Sequence, residues 1–356
     1  MSWDQQPEVL SPMGRSMREQ MMEGPRRQPL DGFEPVYRDI VDYIVRCTHR
    51  IWEEKNIGLC RTHYSDDCVM HTMAGPTRGK EVVTQNTVGT LSTYADRVVL
   101  AEDVIWSEDA PGEYHSSHRI SSRSTHFGDE PLIGPATMRG NGVTTIADCK
   151  VIANEIVEEW LVRDNTTALW QVGADPRTIA NAAALEDKEG DQGRHGWRRE
   201  AIVATRTQSD VEIDDGHPAA PLAAMLRQAL IEDLYGEAAS GLSPCAEVRW
   251  PSRRLGHGRG FWIGCLMQLG NTLHDRALRC EHVAARPLPN GDIAVAVRWS
   301  LAGFHKGTGV WGEPSERELW LLAVSHYRLR AGLVVEDITV FDEVSVLRQI
   351  AGGLGA

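Results

Sequence analysis

The stretch Ile146-Ala147-Asp148-Cys149-Lys150-Val151-Ile152-Ala153-Asn154-Glu155-Ile156-Val157-Glu158-Glu159-Trp160-Leu161-Val162-Arg163-Asp164 decides the fold class. Two runs rich in branched and aromatic residues flank the turn signal at Asn154, so it reads as a β-hairpin. Upstream, RVVLAEDVIWS from Arg97 and EYHSSHRISSRSTHFG from Glu113 are further strands, separated by Ala110-Pro111-Gly112 and Gly128-Asp129. Consecutive strands with short links and no helices between them predict an antiparallel sheet. Before them, Val36, Ile40, Tyr43, Ile44, Cys47 and Ile51 recur at three- and four-residue steps, the period of an amphipathic helix. A short helix is expected over 57–64, a strand over 68–73 and a third helix from Gly79.

The second half repeats this order. PLAAMLRQALIEDLYG and GRGFWIGCLMQLGNTLHD read as helices, followed by strands at ALRCEHVAARPL, DIAVAVRWSLAGFHKG, ERELWLLAVSHYRLRA and LVVEDITVFDEV. Ser124-Thr125-His126-Phe127-Gly128 corresponds to Gly303-Phe304-His305-Lys306-Gly307, and Asp164 to Asp342. The interval from histidine to aspartate is 38 residues in the first half and 37 in the second. Matching spacing, texture and position predict a tandem duplication, with His126 over His305 and Asp164 over Asp342.

The chain has 356 residues, enough for two or three domains. Residues 1–35 read as a flexible arm, 36–180 as the first domain, 181–217 as a charged linker with one added strand at 201–205, and 218–356 as the second domain. Lys and Arg number 37 against 50 Asp and Glu, a net charge of −13. That balance argues against nucleic-acid and anionic-membrane partners, and no apolar run reaches the ~20 residues of a membrane-spanning helix. The first residues lack the apolar segment of a secretory signal. Seven cysteines without a CxxC pair are expected to be reduced thiols, most of them buried, in a cytoplasmic protein.

Thr125-His126-x-Gly128 and the Val157-Glu158-Glu159-Trp160-x-x-x-Asp164 hairpin resemble the SnoaL-like group of polyketide and ester cyclases within the nuclear-transport-factor-2-like (NTF2-like) superfamily. Val69 to Pro76 and Arg78-Gly79-Lys80-Glu81 resemble that group's first strand and the helix start after it. The likeness is good over 37–174 and loose over 222–350, where Ile338 replaces the tryptophan. It implies an α+β protein of two tandem NTF2-like cones, each a curved antiparallel sheet wrapped around helices with a pocket at one end. It further implies acid/base chemistry without a cofactor on a small or medium organic molecule, through an aspartate.

On strict alternation, Ile156, Glu158, Trp160, Val162 and Asp164 share one strand face. If Trp160 faces the interior, Asp164 is desolvated there and suited to proton transfer. Asp164 is thus the first candidate acid/base, His126 its assistant and Asp148 a neighbouring carboxylate, while pairing with Arg163 or capping a turn is the alternative for Asp164. His71, Trp106, His118 and Trp160 are candidate substrate contacts. His305, His326 and Asp342 form the parallel set in the second half. Three histidines near one mouth could also bind metal, but no short ligand spacing supports one. No GxSxG, phosphate-loop or dinucleotide motif occurs, so no cofactor is implied. The expected partner is a small-molecule substrate. The second half would serve as an intramolecular pseudo-dimer partner, and the arm could clasp another copy. The rival reading is a non-catalytic ligand-binding or assembly module, favoured if aromatic side chains fill the pocket.

Overall fold

The computed structural model describes residues 24–189 and 193–352. The arm expected over 1–35 falls outside these residues up to position 23. The contacts divide the described chain into two units. The first runs up to Thr72 and includes Pro76–Arg163 and Ala168–Ala174; the second holds Met73–Gly75, Asp164–Thr167 and everything from Asp175 onward.

In the first unit, α1 (Ile40–Trp52) leads through a 3-10 turn (Ile57–Leu59) and α2 (Cys60–His63) into β1 (Tyr64–His71) and β2 (Thr77–Arg78). Next come α3 (Lys80–Thr93), β3 (Val98–Ala110), β4 (Glu113–Thr125), β5 (Gly140–Ile152) and β6 (Glu155–Arg163), and then α4 (Asn165–Val172), whose residues up to Thr167 belong to the second unit and the rest to the first. Asp39 starts α1 by accepting the amide of Asp42 at 2.7 Å, satisfying one of the free donors of a helix start. One sheet face packs on α1: Val104, Trp106, Tyr114, Ala147, Cys149 and Leu161 form a core with Tyr43 and Ile44. We call this the inner face.

The second unit opens with α5 (Pro176–Glu189) and α6 (Gly193–Thr207), then α7 (Ala220–Leu230), α8 (Tyr235–Ala238), β7 (Leu242–Trp250), β8 (Arg254–His257) and α9 (Gly258–Thr272). It ends with β9 (Leu273–Pro287), β10 (Ile293–His305), β11 (Glu318–Arg330), β12 (Leu333–Val340) and α10 (Glu343–Gly352).

The strand orders are β2-β1-β6-β5-β4-β3 and β8-β7-β12-β11-β10-β9, one pattern used twice. The chain is therefore an α+β protein of two tandem repeats. Among the described residues no helix is long and apolar enough to cross a membrane.

Four expectations need correction. The sheets are mixed, because β1 pairs parallel with β6 and β7 with β12; the first strand of each repeat joins beside the last rather than beside its successor. The segment 201–205 is helical, not a strand. Its buried Arg198, Ile202 and Thr205 fall at helical spacing, a period that the local run Ala201-Ile202-Val203-Ala204 hid. The charged stretch 181–217 is largely taken up by α5 and α6, which belong to the second unit. Finally, Leu30 and Phe33, placed in the arm, are buried in the core of the first unit.

Candidate functional site

The geometry of the site turns on one extra residue. Lys150 pairs with Glu158, but Val151 pairs with Ile156, so Val157 has no partner across the hairpin. This β-bulge breaks strict alternation. Ile156 faces inward, and after the bulge Glu159 and Leu161 face inward while Glu158 and Trp160 turn outward. The same irregularity recurs in the second repeat, where Arg328 pairs with Glu336 and Leu329 with Val334, leaving Val335 unpaired. The register then equates Trp160 with Ile338 and Glu159 with Asp337.

The predicted site residues therefore fall into three places. On the inner face of the first sheet are Trp106 and His118. Beside them is Glu159, which the sequence reading passed over because it assumed no bulge. Glu159 is buried and accepts a 3.0 Å hydrogen bond from the Tyr64 hydroxyl. Burial pushes its carboxyl above the ordinary range, against the opposing effect of that hydrogen bond. His118 is 1% exposed, and neither ring nitrogen has a hydrogen-bond partner among the described residues. Burial pulls its pKa down to about 3, so the ring is neutral. The hydroxyls of Ser116 and Thr145, on the same face, are buried without a hydrogen-bond partner among the described residues. The register runs from His118 through Ala147 to Leu161, and from Ser116 through Cys149 to Glu159. His118 and Glu159 thus lie on one sheet face, two strands and one pairing step apart.

On the outer face, His71, Trp160 and Asp148 come together. The rings of His71 and His115 stack on Trp160 at centroid distances of 5.0 and 5.7 Å. His71 Nε2 lies 2.8 Å from Glu158, and His115 Nε2 lies 3.1 Å from Asp148. Each histidine of the stack thus carries its own carboxylate.

Asp164, His126 and their counterparts stand at strand ends. Asp164 accepts the Thr167 amide at 3.1 Å and the Thr167 hydroxyl at 2.6 Å, and also the Ser252 amide. Asp342 likewise accepts the Val344 amide and the Ser345 hydroxyl, plus the Asn165 amide group. Both aspartates hold the start of a helix. His126 Nδ1 accepts the Thr137 amide, and His305 Nδ1 the Ser315 amide, at 3.3 Å in each case. Each ring clips the loop that follows its strand, and each Nε2 lacks a partner among the described residues. The near-equal histidine-to-aspartate spacing thus marks repeated structural joints. Asp164 and His126 each bond to the residues that follow their own strand.

In the second repeat His326 takes the position of Asp148, opposite Ile338. The inner carboxyl there is Asp337, wholly buried, which accepts from Thr339 at 2.7 Å, Trp262 at 2.8 Å and Trp250 at 3.3 Å. Burial nevertheless raises its pKa to about 6. All seven cysteines are free, and Cys245, unlike the other six, is exposed.

No family model matches the chain, and no curated protein matches it. Among solved structures, it is similar to IdmH from Streptomyces antibioticus, described as a candidate polyketide cyclase. That match has 22% identity over 37% of this chain and 97% of that one, with a TM-score of 0.33. TsrD from Streptomyces laurentii matches at 16% identity, over 40% of this chain and all of that one, with a TM-score of 0.34. A candidate SnoaL-like polyketide cyclase from Jannaschia sp. CCS1 gives 16%, 40%, 99% and 0.32 for the same quantities. Each match covers well under half of this chain and nearly all of the neighbour.

Proposed function

We propose that the chain is a cofactor-independent acid/base enzyme of cyclase, isomerase, lyase or hydrolase type, acting on a small or medium carbonyl-containing molecule at the inner face of the first sheet. The observation that carries this is that a buried, pKa-raised Glu159 and a buried, neutral His118 without a hydrogen-bond partner among the described residues share one sheet face. A carboxyl whose pKa burial raises holds a proton more readily than an exposed one and is better suited to take and return it. A neutral imidazole can donate a hydrogen bond to a carbonyl oxygen as charge develops there. Tyr64, donating to Glu159, favours the ionised form needed for proton abstraction. The acid/base role expected of Asp164 moves to Glu159 because the lone pairs of Asp164 serve the helix start and the Ser252 amide. A cytoplasmic setting fits the free thiols.

One observation favours a second reading. Trp106, Tyr43 and Tyr114 pack on the same inner face. An interior filled by aromatic side chains suits a non-catalytic ligand-binding or assembly module, in which the second domain stands in for a dimer partner. Proton exchange separates the two. Ketones and β-keto esters incubated with the protein in D2O are followed by 1H NMR at the carbon next to the carbonyl. The enzyme predicts accelerated exchange for at least one compound and its loss in Glu159→Gln; the module predicts none beyond the buffer rate.

A further inference from the structure

A cleft of about 490 Å³ lies where β3, β4 and β5 meet α4, lined by residues of the first unit including Asp96, Val98, Arg123, Thr125, Asn141 and Gln171. We propose that it binds a small organic monocarboxylate, independently of the chemistry proposed above.

The argument rests on which hydrogen-bonding groups the fold has already used. Gln171 Oε1 accepts the amide of Gly142, which can only donate, so the Gln171 NH2 is left for another partner. Asn141 Oδ1 accepts the Ser124 hydroxyl at 2.7 Å, so the Asn141 NH2 is likewise not used by that bond. Arg123 is exposed and makes no side-chain hydrogen bond or ion pair among the described residues. The fold has thus occupied both amide oxygens, while Asn141, Gln171 and Arg123 all line the cleft. Such a donor set fits a carboxylate, which accepts through both oxygens and pairs with guanidinium in a fork.

Asp96 limits the charge of the ligand. It accepts the Thr125 amide at 2.7 Å and sets an acidic side chain at one side of the cleft. A phosphate dianion or dicarboxylate would meet it, whereas a single carboxylate can lie against Arg123. Val98, half exposed, gives the rest of the ligand an apolar contact. Gly140 and Gly142, on either side of Asn141, keep the floor bare. A Cβ on Gly142 would meet nothing closer than 3.6 Å, the carbonyl oxygen of Ser122, so a side chain there can occupy the cleft without forcing the backbone.

The test is an NMR titration of the full chain with benzoate, benzamide and phthalate, observing amides at 123–125 and 140–142. Benzoate is expected to saturate these signals and to bind about tenfold more tightly than benzamide, as loss of one charge-assisted bond implies. Phthalate should bind more weakly than benzoate. Arg123→Gln should weaken benzoate about tenfold, and Gly142→Leu, which fills the space and keeps every donor, should abolish saturation while leaving the melting temperature unchanged. Equal binding of benzoate and benzamide, unaltered benzoate binding in Arg123→Gln or Gly142→Leu, or no saturable shift with benzoate would each overturn the proposal.

Discussion

Glu159 and Asp337 each stand two residues beyond the unpaired valine of their repeat, and burial raises the pKa of both. Their partners separate them. Among the described residues Asp337 takes hydrogen bonds from Trp250, Trp262 and Thr339, whereas Glu159 takes one, from Tyr64. A carboxyl held by three donors is tied into its surroundings. One held by a single donor keeps lone pairs for a substrate. The duplicated scaffold thus carries a structural carboxyl in one copy and a candidate reactive one in the other.

Asp337 should make the second repeat sensitive to pH. Its folded pKa of about 6 lies above the ordinary aspartate value, so the folded state holds its proton more tightly than the unfolded chain. That contribution is complete below about pH 4 and is lost as pH rises through about 6, a change of ~3 kcal/mol for a shift of about two units. Urea unfolding followed between pH 4 and 7 should show this decline, and Asp337→Asn should flatten it.

His118 has the opposite sign. Its folded pKa of about 3 lies below the ordinary histidine value, so stability is full above about pH 6.5 and falls as pH drops toward 3. In a 1H–13C spectrum its ring signals should stay at neutral positions from pH 8 to 5, with solvent-exposed histidines as the control. His118→Phe should lessen the acid sensitivity.

The helix starts set by Asp164 and Asp342 should matter to stability. Asp164→Ala removes the acceptor for Thr167 and for the Ser252 amide and should cost about 1–2 kcal/mol. Thr167→Val, which spares the amide bond to Asp164, should cost less. Chemical denaturation of both variants checks the order.

The sequence yielded the repeat, the order of elements and the turns because these rest on local periodicity and on Gly, Pro and Asn signals. Which face each residue occupies was less legible. Alternation was applied from Ile156 to Asp164, and the unpaired Val157 inverted it, turning Trp160 outward and Glu159 inward. A valine in a bulge looks like any other strand valine, since the bulge is fixed by pairing across the hairpin. The repetition of Val157 as Val335 is the one signal that could have pointed to it. The parallel pairing of first and last strands was hidden for a related reason: it joins residues some ninety positions apart, such as His71 and Trp160.

The most direct test of the account compares Glu159→Gln with Asp164→Asn in the D2O exchange assay, using the compound that wild type exchanges fastest. If Glu159 is the proton-transfer group, its variant should lose ~10²–10⁴-fold in rate, with the fold and the Tyr64 contact kept, while Asp164→Asn stays within about threefold of wild type. Full exchange in Glu159→Gln together with loss in Asp164→Asn would contradict it and return the chemistry to the strand end.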